Sequence, residues 1–211
     1  MTENTPLHAA LRTIATEGEG LQALAEALQG PLGSSFTKAI EKILAAPGRV
    51  IVSGMGKSGH IGRKIAATLA STGTPAYFVH PSEASHGDLG MIQSDDVIIA
   101  MSWSGESAEL ADIIAYANRF NVPLIAFTSN AESALGKGAH ICLELPRAKE
   151  ACPNGLAPTT SRTFSPSATT SGPIPSPGIT ASLYVLINLS LYLSLQSDCA
   201  NKFCASLFLD L

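Results

Sequence analysis

The chain has 211 residues, of which 45% are hydrophobic and 14% are charged. This length predicts one α/β domain plus a remainder, and the apolar content excludes an intrinsically disordered protein. A formal net charge of −4 leaves no basic surplus for binding nucleic acid. The four cysteines are widely spaced without a Cys-x-x-Cys pair, which argues against structural zinc and favours a reducing compartment. Because the N-terminus lacks a basic segment followed by an apolar run, we expect no secretory signal and a cytoplasmic protein.

The N-terminal segment predicts a helical arm. Gly18, Gly20 and Gly30 are the candidates to break or end its helices. A helix with one apolar stripe must bury that stripe, so we expect the arm to pack against a partner. The apolar residues that recur at helical spacing are Leu7, Leu11, Ile14, Leu21, Leu24 and Leu28, and then Phe36, Ile40, Ile43 and Leu44.

Five short apolar runs follow the arm, and helix-like segments separate them. Continuously apolar runs of this kind predict strands that are covered on both faces, and therefore a doubly wound, five-stranded parallel sheet flanked by helices. Ligands of such sheets bind beyond the carboxyl ends of the strands. The predicted strands are Arg49–Ser53, Ala76–Val79, Asp96–Met101, Val122–Phe127 and His140–Leu145, and the predicted helices include Ile61–Ser71, Ala108–Phe120 and a short one around Ala131–Leu135.

A glycine-rich loop, Gly54–Gly59, joins the first predicted strand to a helix with G-x-G-x-x-G spacing. Backbone N–H groups in such a loop can approach an anion at the helix N-terminus. A dinucleotide site also needs an acidic residue near the end of the second strand, but Val79-His80-Pro81 stands there. A Walker motif would need glycine where Ile51 stands. A small phosphorylated ligand is therefore the favoured interpretation, with a plain tight turn as the alternative.

A hydroxyl-rich loop, Ser102–Ser107, follows the third predicted strand and leads into a helix. Hydroxyls and helix-start amides can surround a phosphate dianion without arginine. The alternative is an ordinary N-cap with Glu106 in the first turn, but capping needs one hydroxyl rather than three. A hydrolase nucleophile elbow is excluded because Ser102 occupies the position of its first glycine.

Titratable residues follow several of the predicted strands. Lys57, His86, Glu106 and Glu150 would then gather at one sheet edge as an acid–base set beside the phosphate anchors. Two structural alternatives stay open: His86 as an ordinary loop histidine, and Glu150 as a solvated surface carboxylate. One histidine does not make a metal site, and we expect no metal or cofactor.

Three stretches, GMGKSGHIGRKIAATLASTGTPAYFVHPSEASHGDLGM, SWSGES and KEACPNGLAPTTS, give the chain a strong family likeness. Over roughly residues 40–161 the sequence resembles the sugar isomerase (SIS) family, and within it the arabinose 5-phosphate isomerases. The resemblance implies reversible conversion of D-ribulose 5-phosphate to D-arabinose 5-phosphate, at the entry to 3-deoxy-D-manno-octulosonate and lipopolysaccharide. It also implies a homo-oligomer, expected to be a tetramer. The alternative function is a phosphosugar-binding module or an inactive remnant without turnover.

The resemblance also assigns roles to residues. Lys57, His86, Glu106 and Glu150 would line the reacting carbons, and aldose–ketose isomerisation needs one base to move a proton between C1 and C2. Either Glu106 or Glu150 is the expected base, with Lys57 stabilising the enediolate and His86 assisting proton transfer. The expected ligand-binding residues are Gly54, Gly56, Ser58, Ser102, Ser104, Ser107, Thr159 and Thr160.

The sequence changes character after Ser161, which predicts a domain over 1–161 and an atypical tail over 162–211. Among the tail residues, only Arg162, Asp198, Lys202 and Asp210 are charged. Read in a second frame, codons for Thr163–Ser171 can encode Leu-Leu-Ala-Leu-Gly-Asp-Asp-Leu, which resembles a helix that the family has here. We therefore hypothesise a frame-shifted translation after Ser161 or Arg162. The apolar run from Ile179 is at the lower limit of membrane-spanning length and lacks basic flanks, so we expect no membrane anchor.

Overall fold

The computed structural model describes residues 5–147 and 149 of the chain. The predicted catalytic residue Glu150 and the predicted ligand-binding residues Thr159 and Thr160 lie outside these residues, as does the tail from 162 with its hypothetical change of frame. The helices are α1 (Pro6–Leu28), α2 (Pro31–Leu44), α3 (Gly56–Ser71), α4 (Pro81–Ser85), α5 (Ala111–Phe120) and α6 (Ala134–Gly138), and the strands are β1 (Val50–Gly54), β2 (Ala76–Phe78), β3 (Val97–Met101), β4 (Leu124–Thr128) and β5 (Ile141–Glu144).

The strands form one parallel sheet in the order β2-β1-β3-β4-β5. The prediction of a doubly wound, five-stranded parallel sheet is therefore confirmed. Ile51 of β1 pairs with Tyr77 on one side and with Ile98 on the other. The chain adds β2 on one side of β1 and then crosses to add β3 on the other. The point where this order reverses is the usual place for a ligand in an open α/β sheet.

Alternating strand residues supply two separate apolar cores. Val50 and Val52 face one core, to which α2 contributes Ile40 and α3 contributes Leu69. Ile51 faces the opposite core, which α5 and α6 complete. Both sheet faces are therefore covered, and this explains why the strands are unbroken apolar runs in the sequence. In the described part of the chain, no helix has the length and hydropathy needed to cross a bilayer.

The arm forms helices as predicted, but two of its glycines do not break them. α1 continues through Gly18 and Gly20, because the roughly 1 kcal/mol cost of a glycine inside a helix is outweighed by packing on the side of Gly20 and Leu24. Gly30, in contrast, directly precedes α2. The N-terminal half of the predicted stripe is exposed, with Leu7 at 67%, Leu11 at 54% and Ile14 at 61%.

Several predicted boundaries shift by a few residues for local reasons. β4 begins at Leu124 rather than Val122, because Pro123 has no N–H to donate to a neighbouring strand. The helix expected from Ala108 opens with a 3-10 turn, Ala108–Leu110, before α5. The short helix expected around Ala131–Leu135 instead begins at Ala134, because Ser133 caps it.

An ion pair holds the loops at the amino ends of the strands. Asp96 is 1% exposed and accepts hydrogen bonds from Arg49 Nε at 3.1 Å and Arg49 Nη2 at 2.9 Å. The backbone amides of Arg49 and Gln93 also donate to this carboxylate, at 2.7 and 2.9 Å. Burial opposes ionisation of Asp96, but these hydrogen bonds outweigh it and hold its pKa below the usual value.

We expect Asp96→Asn to lower the free energy of unfolding by about 1–3 kcal/mol, because it weakens hydrogen bonds to a charged acceptor. The lowered pKa gives the pH dependence its sign: the stabilisation is complete above about pH 4 and is lost as the pH falls through the native pKa. Urea denaturation at several pH values measures both effects. Asp95→Asn is the matched control, since Asp95 is the exposed neighbour; equal losses in the two variants would contradict the prediction.

Candidate functional site

The glycine-rich loop lies where the order of the strands reverses. Gly54 ends β1 and pairs with Met101 at the end of β3. α3 begins at Gly56 with no side-chain cap on its N-terminus, and Lys57 and Ser58 lie half-buried in its first turn. The first amides of α3 therefore keep the positive end of the helix available beside the residues that follow β3.

Packing accounts for the last glycine of the G-x-G-x-x-G motif. A Cβ at Gly59 would lie 2.5 Å from the carbonyl oxygen of Gly54, so only glycine lets α3 approach β1 this closely. Gly62 has the same function one turn later, against the ring of Phe78. The motif thus contains a tight helix–strand contact as well as the uncapped start of α3.

The hydroxyl-rich loop is built from its own hydrogen bonds. Ser102 Oγ and Ser107 Oγ are 2.8 Å apart, and the amide of Gly105 donates to Ser102 Oγ at 3.2 Å. The amide of Glu106 donates to Ser104 Oγ at 3.3 Å. Ser107 precedes the 3-10 turn, but its side chain makes no cap there. The serines therefore shape a loop rather than simply cap a helix, and Ser104 at its tip is exposed.

A second loop, which the sequence patterns did not single out, supports the first. The carbonyl oxygen of Trp103 accepts hydrogen bonds from Ser129 Oγ at 2.8 Å, Ser129 N at 3.0 Å and Thr128 Oγ1 at 3.2 Å. Thr128 ends β4, and both hydroxyl residues are buried. The signal in the sequence was the polar run Thr128-Ser129-Asn130 directly after a buried strand, at the edge where carboxyl ends meet.

Two backbone amides at the start of α6 donate hydrogen bonds to the hydroxyl-rich loop. The amide of Ala134 donates to Glu106 Oε1 at 3.1 Å, and the amide of Leu135 donates to the Gly105 carbonyl at 3.0 Å. Gly105 has a φ of 72°, a conformation that favours glycine. A Cβ at this position would lie 1.9 Å from Ser133 Oγ. The loop is therefore fixed by hydrogen bonds from α6 as well as by its own internal hydrogen bonds.

His86 follows β2, in a segment that packs beside the elements after β3. It is exposed at the C-terminus of α4, which contacts both the Ala108–Leu110 turn and α5. Ser53 Oγ of β1 donates to the Val79 carbonyl at 2.7 Å and so fixes the start of the segment that leads to His86. The described residues contain no group of three or more His, Cys, Asp or Glu side chains that could hold a metal ion.

The fold and this site define a doubly wound α/β domain with a hydroxyl-rich loop at the reversal point of its sheet. The model of the SIS domain family matches residues 43–170. The chain therefore belongs to the SIS domain family.

Individual relatives agree with this assignment. "Arabinose 5-phosphate isomerase KdsD" of Pseudomonas aeruginosa is 52% identical over 157 residues, which cover 74% of this chain and 47% of that protein. KdsD of Escherichia coli K12 is 55% identical over 144 residues, 67% of this chain and 43% of that protein. The chain thus spans about half the length of these relatives. A solved structure of an E. coli CFT073 protein in complex with arabinose 5-phosphate aligns with a TM-score of 0.72 at 37% identity, covering 90% of this chain and 89% of that one.

We expect Gly105→Ala to lower the free energy of unfolding by about 2–5 kcal/mol. A positive φ costs a residue with a Cβ about 1–2 kcal/mol, and the collision with Ser133 adds about 1–3 kcal/mol. Gly56→Ala is the matched control, because Gly56 also has a positive φ, 53°, but a Cβ there would meet nothing within 4 Å. Urea denaturation measures the difference; equal losses would show that the contact with Ser133 is unimportant.

Proposed function

We propose that the chain is an aldose–ketose isomerase that interconverts D-ribulose 5-phosphate and D-arabinose 5-phosphate. The observation that carries the proposal is the hydroxyl-rich loop Ser102–Ser107, placed beside the uncapped start of α3 at the reversal point of the sheet. The relatives named arabinose 5-phosphate isomerase and the neighbour in complex with arabinose 5-phosphate support this choice of substrate. We place the reaction in the cytoplasm, at the entry to 3-deoxy-D-manno-octulosonate and lipopolysaccharide synthesis.

The phosphate of the sugar would bind the hydroxyl-rich loop. Ser104 is exposed at the tip of the loop, and Ser102 and Ser107 form the hydroxyl pair behind it. Hydroxyl and amide donors at a helix start stabilise a dianion without a basic side chain. Gly54, Gly56, Ser58, Thr159 and Thr160 would complete the ligand-binding set.

The reaction moves one proton between C1 and C2 through an enediol. A carboxylate removes the C2 proton of the aldose while a donor protonates the carbonyl oxygen on C1; the proton then returns to C1 as the C2 hydroxyl loses its own proton. We assign the base to Glu106, whose Oε1 is held by the Ala134 amide and whose Oε2 has no hydrogen-bond partner among the described residues. Glu150 is the alternative base, Lys57 would stabilise the enediolate, and His86 would assist proton transfer.

We expect Glu106→Gln to lower kcat by about 10²–10⁴-fold, the range for loss of a general base. Glu109→Gln is the matched control, because Glu109 is also an exposed glutamate close to this loop, and it should stay within about twofold of the parent. The assay is ribulose 5-phosphate isomerisation, run beside binding of the same sugar. Binding without turnover in the parent chain would favour the alternative, a phosphosugar-binding module or inactive remnant.

We expect Ser104→Ala to weaken binding of ribulose 5-phosphate by about 10–100-fold. The basis is a contribution of about 1.5–3 kcal/mol for a hydrogen bond to a charged acceptor. Because Ser104 is exposed, the unfolding free energy should change by less than about 1 kcal/mol. Calorimetry with ribulose 5-phosphate and with unphosphorylated ribulose measures the effect. Equal affinity of the parent for the two sugars would refute the phosphate assignment.

We also propose that the protein is a homo-oligomer, with a tetramer as the expected state. The supporting observation is the exposed apolar stripe of Leu7, Leu11 and Ile14 on α1, since a stripe of this kind is normally buried. Leu11→Glu should therefore reduce the molar mass measured by light scattering. Arg12→Glu, on the same exposed turn but outside the stripe, is the control; an unchanged mass for Leu11→Glu would place the contact elsewhere.

The hypothesis that the sequence after Ser161 or Arg162 is read in a shifted frame is also a proposal. Its support is the second-frame reading of Thr163–Ser171 and the low charge of the tail. Sequencing the coding DNA through this junction tests it. A second frame that encodes no such helix would overturn the hypothesis.

A further inference from the structure

Ser133 connects two parts of the site through the start of α6. It is fully buried, its Oγ accepts a hydrogen bond from the Gly136 amide at 3.1 Å, and it donates to the Asn130 carbonyl at 2.6 Å. This N-cap fixes the first turn of α6. Two amides of that turn, on Ala134 and Leu135, donate to the Glu106 carboxylate and the Gly105 carbonyl.

We propose that Ser133 is a positioning residue for Glu106, a role that rests on the proposed isomerase function. Glu106 is exposed on its loop, and a free glutamate side chain would sample many rotamers. Within the described part of the chain, the hydrogen bond from Ala134 is the contact that holds its carboxylate. The direction of that bond depends on the turn that Ser133 caps.

The side chain of Ser133 also packs directly against the hydroxyl-rich loop, at Gly105. Its Oγ occupies the space directly against Gly105, where a Cβ would come within 1.9 Å. The backbone of Gly105 therefore packs against the Ser133 side chain, and its carbonyl accepts a hydrogen bond from the Leu135 amide. Loss of the hydroxyl removes the cap and this support together, and a shift of about 1 Å at a reacting group can cost about 10²-fold in rate.

The kinetic test compares Ser133→Ala with Thr5→Ala. Thr5 caps α1 through its side chain, far along the sequence from this loop, so it matches the lost cap without touching Glu106. We expect Ser133→Ala to lower kcat for ribulose 5-phosphate by about tenfold with KM within about twofold, because Ser104 still offers its hydroxyl to the phosphate. Thr5→Ala should leave both constants unchanged. A loss confined to KM, or equal kcat values for the two variants, would overturn the proposal.

A second measurement does not depend on turnover. In the 211-residue chain, Glu106→Gln should shift the NMR resonance of the Ala134 amide, because that amide donates to the carboxylate. The shift should disappear when the same change is made in the Ser133→Ala background. An equal shift in both backgrounds would overturn the positioning role even if the chain is active. A coupled shift in a chain that does not isomerise the sugar would support positioning while the proposed function fails.

Ser133→Gly provides a second variant should Ser133→Ala not fold. Glycine is tolerated at N-caps, so the helix can start, while the hydroxyl against Gly105 is absent. Because the variant also lacks the hydroxyl that bonds the Gly136 amide and fixes the first turn of α6, the expected results are the same: lower kcat, little change in KM and no coupling between Glu106 and the Ala134 amide. Full kcat in a folded Ser133→Gly protein would overturn the proposal.

Discussion

The parallel pairing of β1 with β3 is the constraint on which the site depends. Because β2 lies on the other side of β1, the chain leaves the sheet in opposite directions after β1 and after β3, and ligands of open α/β sheets bind at such a point. The register that pairs Gly54 with Met101 ends both strands at the same level. The uncapped start of α3 and the hydroxyl-rich loop therefore follow neighbouring strands at the same edge of the sheet, although they are far apart in the sequence.

A few polar groups after β4 fix the hydroxyl-rich loop in one position at this edge of the sheet. The Trp103 carbonyl receives three hydrogen bonds from Thr128 and Ser129, and the start of α6 holds Gly105 and Glu106. Buried polar groups of this kind stabilise only when each has a partner, so they specify one arrangement of the loop. Glycine adopts the positive φ of residue 105 without strain, and the close approach of Ser133 leaves no room there for a Cβ.

The sequence predicted the sheet, the two phosphate-binding candidates and the carboxyl edge, because each depends on local patterns of apolar runs, glycines and serines. It did not predict the role of Ser133 or Thr128, because a buried serine that supports another loop looks like any other serine until the strand order is known. Gly18 and Gly20 show the reverse error: local propensity predicted breaks in α1, while tertiary packing of Gly20 and Leu24 keeps the helix intact. The burial of Glu17 on α1, which raises the pKa of its carboxyl group, was also not predicted, because apolar periodicity cannot identify a charged residue as buried.

The two edges of the sheet hold acidic residues in different ways, and this difference supports the proposed function. At the amino edge, Asp96 satisfies its buried carboxylate with donors from Arg49 and Gln93, leaving that group no capacity for a substrate. At the carboxyl edge, Glu106 is exposed, and among the described residues only the Ala134 amide donates to its carboxylate, at Oε1. A carboxylate with both oxygens hydrogen-bonded to the protein is well suited to stabilise the fold, whereas one held at a single oxygen keeps the other for a substrate proton. This difference in hydrogen bonding, rather than in residue type, is the reason for proposing Glu106, and not Asp96, as the base.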